Sequence, residues 1–161
     1  MLLKQNPNVY RNAYPNWSWS HTPGSDFRRY ASAYKDAADR ILDSIGENVG
    51  HIVDALILPT FYLYRHSAEL TLKGIVITVD LMSGSLNTKE VEKLADKLNE
   101  HSLESLYCQA FERFKTCYTV REGELKWAKH AIDELHKLDP GGDLFRYPHD
   151  ISLQRRGVAG D

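Results

Sequence analysis

Apolar residues recur at helical spacing along most of the 161-residue chain, with polar positions falling on the opposite side. From Phe27, the positions Tyr30, Ala31, Tyr34, Ala38, Ile41, Leu42 and Ile45 follow the i, i+3, i+4, i+7 rhythm of an amphipathic helix. Ser25 or Asp26 is its expected N-cap, and Gly46 stands where a C′ glycine ends a helix. A second helix is predicted from about Ile52 to Leu81. Its stretch Ala55–Tyr64 is apolar nearly all round, as in a helix at the middle of a bundle, and Pro59 is expected to start a regular segment or kink the helix.

Ser83-Gly84-Ser85 breaks that pattern. Asn87 with Glu90 reads as a capping box opening a helix through Val91, Leu94, Ala95 and Leu98. After a break near Glu100–Ser102, Leu103, Leu106, Tyr107, Ala110, Phe111 and Phe114 form another helical face. A last helix, from about Gly123 to Leu138, buries Leu125, Ala128, Ile132, Leu135 and Leu138, and Asp139-Pro140-Gly141-Gly142 stops it.

Strand-like alternation stays short throughout. Ile75–Val79 is β-branched, but the helical phase continues through it. The expectation is an all-α bundle of about four to five helices, antiparallel between neighbours. Residues 1–24 form an irregular aromatic-rich N-terminal arm, and residues 25–161 a single helical-bundle domain whose tail from Asp143 is irregular. Trp17 and Trp19 are expected to fold back onto the domain, the alternative being an exposed binding arm.

Charge narrows the partners. The formal net charge of −2 supplies no basic excess for gripping a phosphate backbone, so RNA contact would need a local patch. Cys108 and Cys117 are the two cysteines, with neither the number nor the spacing of a disulfide framework or a zinc motif. A reduced cytoplasmic setting is expected. Neither an apolar leader nor an apolar run long enough to span a membrane is found. No cofactor and no metal are expected.

The chemistry-bearing feature is a stripe on the second helix. At about 100° per residue, Tyr62, Arg65, His66, Glu69, Lys73 and Asp80 project within roughly one quadrant. A histidine near Glu69 could be held in one tautomer and act as general base, while Arg65 and Lys73 stabilise phosphoryl charge. The plainer alternatives are a polar helix face with an Arg65/Glu69 ion pair, or a buried ion-pair network that fixes packing.

The segment Phe61-Tyr62-Leu63-Tyr64-Arg65-His66-Ser67-Ala68-Glu69-Leu70-Thr71-Leu72-Lys73, with Phe145-Arg146-Tyr147-Pro148 far downstream, resembles a group of small bacterial proteins within the wider HEPN superfamily of α-helical domains. Asp26-Phe27 through Ala37-Ala38, His101-Ser102-Leu103 and Leu138-Asp139-Pro140 fit the same layout, so the likeness covers residues 17–150. The resemblance implies a helical bundle, often dimeric, from a superfamily of RNA-cleaving toxins, phage-defence components and non-catalytic nucleotide-binding or scaffold members. The superfamily's Arg-x4–6-His motif is missing: Arg65 and His66 are adjacent, Arg146 and His149 three apart, Arg121 and His130 nine apart. The candidate catalytic residues are therefore only those matching the narrower group: Arg65, His66, Glu69, Lys73 and Arg146. Pro148 holds Tyr147 extended, so Arg146 could clamp back onto Glu69 or reach a phosphate.

Two functions follow from the resemblance. One is a metal-independent ribonuclease acting as a toxin or phage-defence effector, with His66 as acid/base. The other is a non-catalytic module that binds a nucleotide or a partner protein in a larger complex. Expected partners are a second copy of the chain or a protein such as an antitoxin, with RNA or a nucleotide as ligand and no membrane.

Overall fold

The structure is a computed structural model and describes residues 23–46, 50–84, 99–119, 123 and 125–146. Those residues form four helices: α1 (Pro23–Gly46), α2 (His51–Met82), α3 (Leu103–Cys117) and α4 (Lys126–Leu138). No strand occurs among them, so the all-α expectation holds and Ile75–Val79 is helical. The aromatic arm before Pro23, the helix expected from Asn87 and the tail beyond Arg146 lie outside the described residues.

Helix starts differ from the sequence reading for local reasons. α1 begins at Pro23, ahead of the expected cap. Proline suits a first helical position because its missing N–H would have no partner there. α3 starts as expected, with Ser102 as N-cap accepting a hydrogen bond from the Ser105 N–H. α4 begins at Lys126 because Gly123 adopts φ +100° and forms a turn, with Lys126 N–H donating to the Gly123 carbonyl at 3.2 Å. α2 runs unbroken through Pro59.

α2 is the central helix, packed along α1 on one side and against α3 on another, with α4 against α3. α1 and α2 approach closely at two glycines. A β-carbon on Gly74 would lie 3.1 Å from that of Phe27, and one on Gly24 would strike the Thr78 hydroxyl. Ser67 Oγ donates to the Ala31 carbonyl across this seam at 2.8 Å. The core joins Leu72, Val76 and Ile77 of α2 to Leu103, Leu106 and Ala110 of α3 and Ile132 of α4.

The sequence places the middle of the bundle at Ala55–Tyr64, but the buried stretch of α2 lies later. Leu58 is 43% exposed and Ala55 and Pro59 are exposed, whereas Arg65 to Val79 is mostly buried. The α2 residues that share the core with α3 and α4, Leu72, Val76 and Ile77, all lie in its C-terminal half. The charged stripe therefore sits inside the bundle. No described helix is long and apolar enough to cross a membrane.

Candidate functional site

Arg65 is the centre of the stripe and is 2% exposed. A buried guanidinium must find acceptors for its N–H groups. It finds them on three separate segments. Nη1 donates to Glu69 Oε2 at 3.2 Å, Nη2 to the His101 carbonyl at 2.6 Å, and Nε to the Asp139 carbonyl at 3.1 Å. The Asp139 carboxylate also faces Nε, with Oδ2 3.4 Å away.

Glu69 is equally sealed, at 1% exposure. Its Oε1 accepts from Lys73 Nζ at 2.8 Å and lies 3.0 Å from His101 Nδ1. Burial pushes this carboxyl up, but the Lys73 hydrogen bond and charge, helped by His101, hold it below its ordinary value. Glu69 is thus a carboxylate at neutral pH. Asp139 closes the network from beyond α4. Its Oδ1 accepts the N–H groups of Gly142, Asp143 and Leu144 at 2.8, 3.0 and 3.1 Å. That pins the turn over the Arg65 guanidinium.

Two buried cations, Arg65 and Lys73, therefore face two buried carboxylates, Glu69 and Asp139. The charges cancel. No surplus positive charge is left in this cluster for a phosphate, and its members are shielded from one.

His66 follows Arg65 in sequence but lies in different surroundings. Its ring stacks parallel to Tyr62 with centroids 5.6 Å apart and meets Tyr34 edge-on at 4.6 Å. Nδ1 is buried and has no hydrogen-bond partner among the described residues. Burial lowers the imidazole pKa; Glu69 pulls the other way, and Arg146, Lys73 and Arg65 reinforce the lowering. His66 is neutral at pH 7.

Arg146 reaches the same aromatic group from the turn after α4. Its guanidinium carbon lies 5.5 Å from the Tyr62 ring centroid, and Nε is buried without a partner among the described residues. Neighbouring Phe145 stacks on Phe61 at 5.7 Å. Pro59, Tyr62, Phe145 and Arg146 line an open hollow of about 490 Å³.

The five candidate residues thus divide. Arg65, Glu69 and Lys73 belong to one sealed network; His66 and Arg146 both contact Tyr62. The histidine on Glu69 is His101 rather than His66, and the segment clamped onto the stripe does so through Asp139 rather than Arg146. Asp80, at the end of the stripe, accepts from Arg113 Nε of α3 at 2.8 Å. His101 and Asp139 escape a spacing-based reading because they lie 36 and 74 residues from Arg65. The only local signal was an aspartate set before Pro-Gly-Gly, which also reads as an ordinary helix stop. Among the described residues no group of three or more His, Cys, Asp or Glu is placed to hold a metal ion.

Compared with protein-family models, with curated proteins and with solved structures, the chain gave no match.

Proposed function

We propose that the chain is a non-catalytic HEPN-like helical module that binds a nucleotide at the face formed by Tyr62, Phe145 and Arg146. The observation carrying this reading is the division of the stripe. Arg65 and Lys73 are neutralised by Glu69 and Asp139 in a sealed interior, which removes the cations a phosphoryl-transfer site would use. Arg146 has no carboxylate within ion-pair distance among the described residues, and it stands beside aromatic rings at an open hollow. A planar base can stack on such rings, and a guanidinium offers phosphate a two-pronged donor.

The test is calorimetric titration of the full chain with adenosine and guanosine mono-, di- and triphosphates, alongside incubation with labelled RNA. Saturable binding that Arg146→Ala removes, with the RNA left intact, is the expected result. Absence of binding to every nucleotide, or RNA cleavage, overturns the reading.

One observation favours a second reading. His66 is neutral, its Nδ1 has no partner among the described residues, and it shares Tyr62 with Arg146, so the face also holds an acid/base group beside a cation. A ribonuclease built this way would arrest growth on induced expression, and His66→Ala would relieve the arrest.

A further inference from the structure

On the side of α2 opposite the charged stripe, two largely apolar basins adjoin. The first, of about 410 Å³, is walled by Gly24 and Ser25 of α1, Gly74 and Thr78 of α2, and Phe114 and Tyr118 from α3 and its C-cap. The second, of about 350 Å³, is walled by Leu72, Ala110, Trp127, Ala128 and Ile132 among others. Thr71, Ile75 and Phe114 line both, so the two form one trough crossing the bundle. Its rim leaves large apolar groups in water: Trp127 is 74% and Met82 64% exposed.

We infer that the native occupant of this trough is the chain's own N-terminal segment, seated through Trp17 and Trp19. The first ground is where the segment joins the fold. Gly24 and Ser25 are themselves wall residues, so the chain preceding them starts at the lip of the trough. Pro23 is the first residue of α1, and a proline disfavours helix in the residue before it.

The second ground is reach. Trp19 and Trp17 precede Gly24 by five and seven residues. Extended chain covers about 3.3–3.6 Å per residue, giving reaches of about 17 and 24 Å. From Thr78 back to Thr71 along α2 is only about 10 Å at 1.5 Å per residue. Both indoles can reach either basin.

The third ground is chemistry. The second basin is almost wholly apolar, the first sets Arg28, Ser25, Thr71 and Thr78 among apolar groups, and the stretch from Asn12 to Ser25 contains no Asp, Glu, Lys or Arg. The segment can therefore enter without stripping water from a charge of its own. An aromatic residue buries about 150–250 Å² when seated, so two indoles would cover much of the exposed rim. This inference is independent of the nucleotide reading, because it concerns the opposite face of α2.

The experiment uses the full chain carrying Trp127→Phe, so that tryptophan emission comes from positions 17 and 19 alone. Blue-shifted emission, with acrylamide quenching several-fold weaker than in the same chain unfolded in urea, is expected. Replacing Trp17 and Trp19 by serine in the otherwise intact chain should raise the fluorescence of bound anilinonaphthalene sulfonate several-fold while helical circular dichroism is retained. Indoles quenched as freely in the folded chain as in urea overturn the inference. So does protection that appears only as concentration rises into a dimer, since the occupant would then be a second copy. If Trp127→Phe fails to fold, fluorine-labelled tryptophan in the unmodified chain gives the same reading. Nuclear Overhauser contacts from the Trp17 and Trp19 indoles to Ile75 and Phe114 support the inference, and indoles without such contacts overturn it.

Discussion

The guanidinium of Arg65 lies against the backbone of Gly142, so closely that a β-carbon on the glycine would sit 2.8 Å from Nη1 and 2.9 Å from Cζ. Gly142 also holds φ at +80°, a conformation that side chains with a β-carbon resist. Two independent constraints therefore meet at one residue. Gly84 provides a control, since its φ is +71° but none of the described residues lies within 4 Å of its missing β-carbon. Gly84→Ala should cost about 1–2 kcal/mol from backbone strain alone. Gly142→Ala should cost about 1–3 kcal/mol more, from the enforced shift of the guanidinium. Urea unfolding midpoints of the two variants measure the difference; equal losses would show that the turn yields without disturbing Arg65.

Removing one member of the buried network leaves the others uncompensated. Glu69→Gln keeps the shape but strands the charges of Arg65 and Lys73, and a loss of about 3–5 kcal/mol is expected. Arg65→Met should cost a comparable amount. The double variant Arg65→Met/Glu69→Gln should lose clearly less than the sum of the two single changes, because it withdraws both charges together. Additive losses from chemical denaturation would contradict the pairing.

Acid should weaken the fold in two stages. His66 is held below its ordinary value of 6.5 by burial, so the unfolded chain takes up that proton more readily than the folded one. Stability therefore begins to fall once pH drops below that value and levels off at the lower folded pKa. Glu69 is depressed from 4.5, so its contribution is fully present above that value and is lost as pH falls through the folded pKa. His66→Phe should remove the upper stage, and Glu69→Gln should flatten the lower one. Denaturant midpoints followed from about pH 8 to about pH 3 would reveal both.

At neutral pH the same His66→Phe change should alter stability by less than about 1.5 kcal/mol. The replacement keeps a planar ring between Tyr34 and Tyr62 and removes a buried nitrogen that lacks a partner among the described residues. Nucleotide affinity should survive it, whereas Arg146→Ala should abolish binding. Loss of binding in both variants would make His66 part of the ligand contact.

The helical architecture was legible because apolar spacing reports directly on which side of a helix is covered. Phe27 to Ile45 and Leu103 to Phe114 are helical where the pattern places them. Depth along α2 was not legible. Ala55–Tyr64 is the more apolar stretch, yet Arg65 to Val79 is the more buried, since depth depends on where α3 and α4 end. The stripe itself was visible as a shared face, and a buried ion-pair network was among its readings. That His66 leaves this network and His101 joins it could not be read from spacing, because the choice rests on contacts made by residues far along the chain.

Arg65 ties the middle of α2 to His101, two residues before α3, and to Asp139, the residue after α4, across sequence separations of 36 and 74. During synthesis the hairpin of α1 and α2 can zip up from neighbouring contacts long before those distant carbonyls exist. Until Asp139 and the turn behind it leave the ribosome, the guanidinium lacks its last acceptors and has reason to stay in water. The final locking of the bundle is thus postponed to nearly the end of the described chain, and a nascent protein stopped short of residue 139 should hold α1 and α2 together while their charged face remains open.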